Sequence, residues 1–164
     1  MLVLVLVAFA AVAAVIDVRS RRIPNVLTGA LALSGLAIHL TQGAVPTLIA
    51  LATMLAAFVL GTLAFQAGWF GGGDVKLIAG ACGLVSYPDC LPLLAYILAA
   101  GAALALASAA REGRLVELIR STAIIAAHGG GPSRRSPLPY GVAIAAGSAG
   151  YALATFLPLT WTTP

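Results

Sequence analysis

Residues 45–67 read VPTLIALATMLAAFVLGTLAFQA, without one charged side chain. An α-helix of about 20 apolar residues crosses the hydrocarbon core of a bilayer. Five other apolar runs occur in the chain. In chain order, and with residues 45–67 included, the six runs are roughly 1–17, 25–41, 45–67, 74–90, 91–110 and 139–160. This pattern predicts an all-α fold, a polytopic membrane helix bundle of about six transmembrane helices.

The composition indicates a lipid environment. The chain is 61% hydrophobic and 9% charged, and its mean hydropathy is +1.05. A soluble domain of 164 residues could not bury so much apolar surface. The net charge of +4 therefore does not indicate nucleic acid as a partner. We expect one membrane-embedded domain over residues 1–164, with the lipid bilayer as its surroundings.

The basic residues predict the orientation. In a six-span arrangement, every Lys and Arg falls on the same side of the membrane. These residues are Arg19, Arg21, Arg22, Lys76, Arg111, Arg114, Arg120, Arg134 and Arg135. By the positive-inside rule this side is the cytoplasm, so both termini are expected outside. The first run has no basic residues ahead of it, which favours a retained anchor over a cleaved signal peptide.

The one long polar connection is expected to be a cytoplasmic loop at about 111–137. Its first part, residues 112–128, mixes charged and aliphatic side chains, which is typical of an amphipathic helix on the membrane surface. Residues 129–133 read GGGPS, a flexible breaker.

Two acidic residues lie beside apolar runs. Asp17 ends the first run, and Asp74 follows Gly71-Gly72-Gly73 at the start of the fourth. Ionised side chains at membrane depth are costly, so such residues are functional candidates. Both positions are cytoplasmic ends of their spans in the predicted topology. We therefore expect the two carboxylates at the same membrane face.

Each acid also has a purely structural interpretation. Asp17 could be a solvated charge at a helix end, although a helix C-terminus disfavours a carboxylate. Asp74 could cap a helix whose N-terminus favours negative charge. The glycines before it could form a turn, and Lys76 could reach the lipid phosphates as an anchor.

As a pair, the two acids indicate a definite chemistry. Two carboxylates in one pocket do not easily ionise together, so they share a proton. The ionised partner can take a proton from water while the protonated one donates to a peptide carbonyl oxygen. This is aspartyl peptide hydrolysis, which requires no metal or cofactor.

The remaining polar residues are expected to have structural roles. His39 falls at the outer end of the second span and is predicted to be an interfacial histidine. Cys82 and Cys90 form no CxxC pair, so we interpret them as packing residues. Gly101, with small residues at four-residue spacing after it, favours close approach of two helices.

The motifs together resemble those of the type IV prepilin peptidases, within the GxGD intramembrane aspartyl proteases. The resemblance rests on three segments and covers most of the chain. The segments are Asp17-x-Arg19 with Ile23-Pro24-Asn25, Gly71-Gly72-Gly73-Asp74-x-Lys76-Leu77, and Pro139-Tyr140-Gly141. It implies that Asp17 and Asp74 are the catalytic pair. The candidate supporting residues are Gly71, Gly73, Lys76, Arg19, Pro24 and Asn25.

The resemblance also implies a substrate and a location. The substrate would be a prepilin, with a basic leader before a hydrophobic helix, cut at the cytoplasmic face of the bacterial inner membrane. Longer members carry a cysteine-paired segment and methylate the new N-terminus. This sequence resembles the short form associated with Flp-type (tight-adherence) pili, without that methyltransferase segment. Contacts with the pilus assembly machinery are a further expectation.

Two other functions stay open from the residues alone. The same acids could form the relay of a small proton-coupled transporter. The acids lie near one face, however, whereas transporter sites lie near the bilayer midplane. A non-catalytic subunit of a pilus or secretion machine is the other alternative.

Overall fold

The computed structural model describes residues 2–111, 113 and 140–157. Over these residues the protein is all-helical, with no strand. The helices are α1 (Leu2–Ser20), α2 (Asn25–Gln42), α3 (Ala44–Gln66), α4 (Gly72–Val85), α5 (Cys90–Arg111) and α6 (Tyr140–Phe156). Each helix corresponds to one of the predicted apolar runs, so the predicted polytopic helical bundle is confirmed. The expected amphipathic helix at 112–128 and the breaker at 129–133 lie outside the described residues.

The helices differ in how well they could cross a membrane alone. By length and composition, α1, α3 and α5 can each span a bilayer, and α6 is a shorter apolar helix. The 14 residues of α4 extend only about 21 Å at 1.5 Å per residue. This helix is largely buried by its neighbours, so it does not need to match the bilayer thickness.

The chain alternates direction between two ends of the bundle. We call the end with residues 17–25, 66–74, 111 and 140 the aspartate end, and the opposite end the far end. α1, α3 and α5 run towards the aspartate end, while α2, α4 and α6 begin there. Both acids of interest therefore lie at the same end, as the sequence pattern predicts.

The bundle consists of two groups of three helices. In one group α4 packs closely against α2 and α3, and in the other α6 packs closely against α1 and α5. Packing between the groups is sparser, and we call this boundary the seam. α1 and α4, which carry Asp17 and Asp74, lie on opposite sides of it.

Aliphatic side chains fill the interior, while the outer surface is also apolar. The fully buried large side chains include Leu6, Leu31, Leu77, Leu84, Leu93, Ile97 and Ile144. Along α3, in contrast, Ala50 is the one buried residue, and large apolar side chains such as Leu48 and Leu60 are exposed. An exposed apolar surface of this extent is typical of a protein surrounded by lipid.

A close crossing fixes α2 against α4 near the far end. A Cβ atom added at Gly35 would lie 2.8 Å from the Leu84 Cα, so a larger residue would separate the two helices. One turn further, His39 Nε2 donates a 3.0 Å hydrogen bond to the Leu84 carbonyl. That carbonyl is in the last turn of α4, where intrahelical donors are missing.

The interpretation of His39 as an interfacial residue is therefore wrong. Its side chain is 6% exposed, because α2 approaches α4 closely enough to enclose the ring. The expected location at the far end is correct. The residue serves as a buried cap for the C-terminus of α4.

Candidate active site at the aspartate end

Asp17 is a buried carboxylate held by a neighbouring helix. It lies in the last turns of α1 and is 8% exposed. Its Oδ2 accepts a 2.9 Å hydrogen bond from the backbone N–H of Gly141, at the start of α6. The unfavourable field at the end of α1 is thus offset by the N-terminal N–H groups and positive dipole end of α6.

Gly141 leaves no room for a side chain at this contact. A Cβ atom added there would lie 2.9 Å from the Asp17 Cβ and 3.0 Å from its Oδ2. Because both are atoms of a buried side chain, relieving the clash requires a movement of Asp17 or α6. The missing side chain lets the backbone of α6 approach the carboxylate directly.

Asp74 combines a capping contact with a position at the seam. It is the third residue of α4, and its Oδ2 accepts a 3.1 Å hydrogen bond from the Gly71 backbone N–H. This is the backbone-directed half of a capping box. The structural interpretation of Asp74 is therefore correct. Capping uses Oδ2, which leaves the other carboxylate oxygen for further contacts.

Asp17 and Asp74 lie at the same end of the bundle, on opposite sides of the seam. Their side chains are close enough to interact electrostatically. Each accepts a hydrogen bond from a backbone N–H, and the two donors, Gly141 and Gly71, belong to different helix N-termini. A pair of neighbouring, partly desolvated carboxylates can hold one proton between them.

Aromatic side chains line the same end of the seam. The rings of Tyr140 and Phe70 pack edge to face, with centroids 4.9 Å apart and an interplanar angle of 78°. Tyr140 also interacts electrostatically with Asp74. Its hydroxyl lies against α5 at Gly101, where an added Cβ atom would overlap it. Tyr140 thus links α5, α6 and the segment before α4 around the acids.

The candidate supporting residues have different positions. Gly71 contacts Asp74 directly, and an added Cβ at Gly73 would lie 3.1 Å from the Ile23 Cβ. Arg19 and Pro24 are exposed at the aspartate end. Lys76 Nζ donates a 2.8 Å hydrogen bond to Asn25 Oδ1, which joins the second motif to the first.

Lys76 is on the opposite face of α4 from Asp74, and its partner Asn25 belongs to α2. Positions 74 and 76 are about 160° apart around a helix of 3.6 residues per turn. The ammonium group lies beside α2, whereas the carboxylate lies towards α1 and α6. The structure thus separates the predicted supporting residues into two locations.

The described residues offer no metal-binding cluster of three or more His, Cys, Asp or Glu side chains. Cys82 and Cys90 are buried without a disulfide, as expected for packing residues.

Sequence reasoning did not select three residues of this site. They are Tyr140, Gly141 and Phe70. The first two belong to the segment Pro139-Tyr140-Gly141, which carries part of the family resemblance. At Gly101, where the spacing predicts close approach of two helices, the structure places the Tyr140 hydroxyl and no helix backbone.

A family model described as the type IV leader peptidase family matches residues 4–107. The match includes both aspartates and five of the six described helices. No curated protein and no solved structure matches the chain significantly.

Proposed function

The chain belongs to the type IV leader peptidase family, and we propose that it is an aspartyl endopeptidase that removes the leader of Flp-type prepilins. The observation that supports the proposal is that Asp17 and Asp74 lie at the same end of the bundle, close enough to interact electrostatically. Family membership makes the chain a membrane peptidase. The aspartyl mechanism and the prepilin substrate are the proposed parts.

The two carboxylates supply a complete hydrolytic cycle. With one proton between them, the ionised carboxylate takes a proton from water as its oxygen attacks the peptide carbon. The protonated carboxyl simultaneously donates to the carbonyl oxygen, which gives a gem-diol. When the gem-diol collapses, the carboxyl that took a proton from water gives it to the leaving nitrogen. The carboxylate that donated to the carbonyl oxygen recovers a proton from a gem-diol hydroxyl. The C–N bond breaks, and the pair Asp17 and Asp74, which we call the dyad, returns to its starting protonation state.

Two groups assist this chemistry without reacting. The Gly141 N–H orients Asp17, and the Gly71 N–H orients Asp74. The aromatic pair Tyr140–Phe70 packs at the same end of the seam.

The proposed location of cleavage is the cytoplasmic membrane face. Exposed basic residues cluster at the aspartate end of the described chain. They are Arg19, Arg21, Arg22, Lys76 and Arg111. The positive-inside rule then supports a cytoplasmic location for the dyad, with the termini outside. A prepilin could present its polar leader junction there while its hydrophobic helix stays in the bilayer.

Cleavage of a synthetic prepilin by the purified full chain in liposomes tests the proposal. The peptide would have a basic leader followed by an apolar helix, and mass spectrometry would locate the cut. Asp17→Asn and Asp74→Asn should each lower the rate at least about 100-fold. Asp89→Asn is the matched control, because Asp89 is exposed at the far end.

The alternatives give different results in the same assay. If the protein is a non-catalytic assembly subunit, even the wild-type chain would leave the peptide uncleaved. Substantial cleavage by either dyad variant would remove that residue from catalysis. A proton-coupled transporter would acidify liposomes in response to a gradient and leave the peptide intact.

A further inference from the structure

A second feature of the bundle is a groove on the face of α4 that is remote from Asp74. It lies between α2 and α3, with α4 as its floor, and encloses about 330 Å³. The lining is mainly apolar and includes Gly29, Ala32, Met54, Leu55, Phe58 and Gly80. Leu55 and Phe58 are 52% and 41% exposed, so the groove opens to the surroundings of the bundle.

The groove has a polar and positively charged mouth. Lys76 and Asn25 line it and are joined by the 2.8 Å hydrogen bond from Nζ to Oδ1. Both side chains are exposed. Within the described residues, the ammonium group has no acidic partner. Two N–H donors of Lys76 and the amide N–H₂ of Asn25 therefore remain for an anionic group.

The shape of the groove discriminates between possible occupants. The lining on α2 extends from Asn25 to Ala32, about 10 Å of helix. A partner helix is about 10 Å across and would fill roughly twice the available volume over that length. A single extended acyl chain is much thinner. A cation at the mouth of an apolar groove, at the end where basic residues cluster, complements a lipid with an anionic headgroup.

We propose that this groove binds one anionic phospholipid, with the phosphate on Lys76 and Asn25 and one acyl chain along Gly29 and Ala32. The lipid would fill the gap between α2 and α3 and stabilise their packing against α4. This assignment does not depend on peptidase activity. Asp74 lies about 160° from Lys76 around α4, so the lipid does not occupy the site of the two aspartates.

Native mass spectrometry of the full chain in detergent tests the proposal. The protein would be titrated with phosphatidylglycerol or phosphatidylcholine with identical acyl chains. The wild-type chain should bind one phosphatidylglycerol with about fivefold preference, the effect of one basic residue near an anionic lipid. Lys76→Gln should abolish the preference and retain weak binding of both lipids.

A second variant tests the apolar part of the groove. A Cβ atom added at Gly29 meets nothing within 4 Å, so Gly29→Leu fills the groove without a backbone clash. Leucine also favours helix more than glycine, so α2 should stay folded. This variant should lose the bound lipid of either headgroup. Arg111→Gln, a change of charge at the same end on α5, is the control and should keep the preference.

Three results would overturn the proposal. One is equal retention of both lipids by the wild-type chain, and another is an unchanged phosphatidylglycerol stoichiometry in Gly29→Leu. The third is displacement of the bound lipid by a synthetic prepilin, which would assign the groove to the substrate helix.

Discussion

The backbone N–H of Gly141 donates a 2.9 Å hydrogen bond to Oδ2 of Asp17. This contact joins the start of the last described helix to the end of the first. It orients a buried carboxylate with a main-chain group, which cannot rotate away as a side chain could. The separation of the two aspartates therefore depends on the position of α6 as well as on α1 and α4.

Replacement of Gly141 by alanine should impair cleavage more than folding. The added methyl group would lie 2.9 Å from the Asp17 Cβ and displace the carboxylate from Asp74. A displacement of about 1 Å at a catalytic group can lower the rate roughly 100-fold. The measurement is kcat for a synthetic prepilin, beside thermal unfolding in the same detergent.

Ala146→Val is the matched control for this variant. Ala146 is exposed on the same helix, so a larger side chain there meets lipid. Its kcat should stay within about twofold of the wild-type value. A Gly141→Ala enzyme with wild-type kcat would show that the contact does not position the dyad.

The cleavage rate should depend on pH in a bell-shaped manner. At low pH both carboxylates carry protons and no base remains to activate water. At high pH both are ionised and no acid remains to protonate the carbonyl oxygen. The two apparent pKa values from kcat would belong to the pair. A profile that is flat across the range in which the protein stays folded would contradict a shared proton.

His39→Ala should destabilise the bundle without a direct effect on the chemistry. The substitution removes the Nε2 donor and leaves the buried Leu84 carbonyl unpaired. The expected loss is about 1 kcal/mol of unfolding free energy. Thermal unfolding in detergent measures it. His39→Gln can place an amide N–H near the Nε2 position, so it should recover part of the stability.

The dyad and the far end should differ in their accessibility from outside the cell. Arg22 and Tyr87 are exposed at opposite ends of the bundle, while the native Cys82 and Cys90 are buried. A membrane-impermeant maleimide should label Tyr87→Cys in intact cells. Arg22→Cys should react only after the membrane is permeabilised. The reverse pattern would place the dyad outside and exclude cytoplasmic cleavage.

The helical architecture could be predicted because lipid imposes a simple rule on sequence. A helix needs about 20 consecutive apolar positions to cross the bilayer. Residues 45–67 supply them, and α3 occupies nearly the same residues. Asp17 and Asp74 were noticeable for the same reason, since charges are rare beside such runs. Alternation of direction then placed both acids at one end.

The contacts that build the candidate site were not visible in the same way. Gly141 donates a backbone N–H, which every residue except proline possesses, and the need for a missing side chain there is evident only once α6 is packed against Asp17. His39 is buried because Gly35 admits Leu84 closely, a tertiary contact between residues far apart in the chain. The separation of Lys76 from Asp74 follows from helical geometry once the neighbours of α4 are known.

Because a ribosome makes the chain from its N-terminus, the Gly141–Asp17 contact can form only after the start of α6 has been synthesised. Asp17 is synthesised with α1, whereas its main-chain donor Gly141 is synthesised only with α6, the last described helix. A polypeptide that ends before α6 would leave the Asp17 carboxylate without the Gly141 N–H. Under the proposed mechanism, proteolytic competence would thus arrive only after α6 has been synthesised.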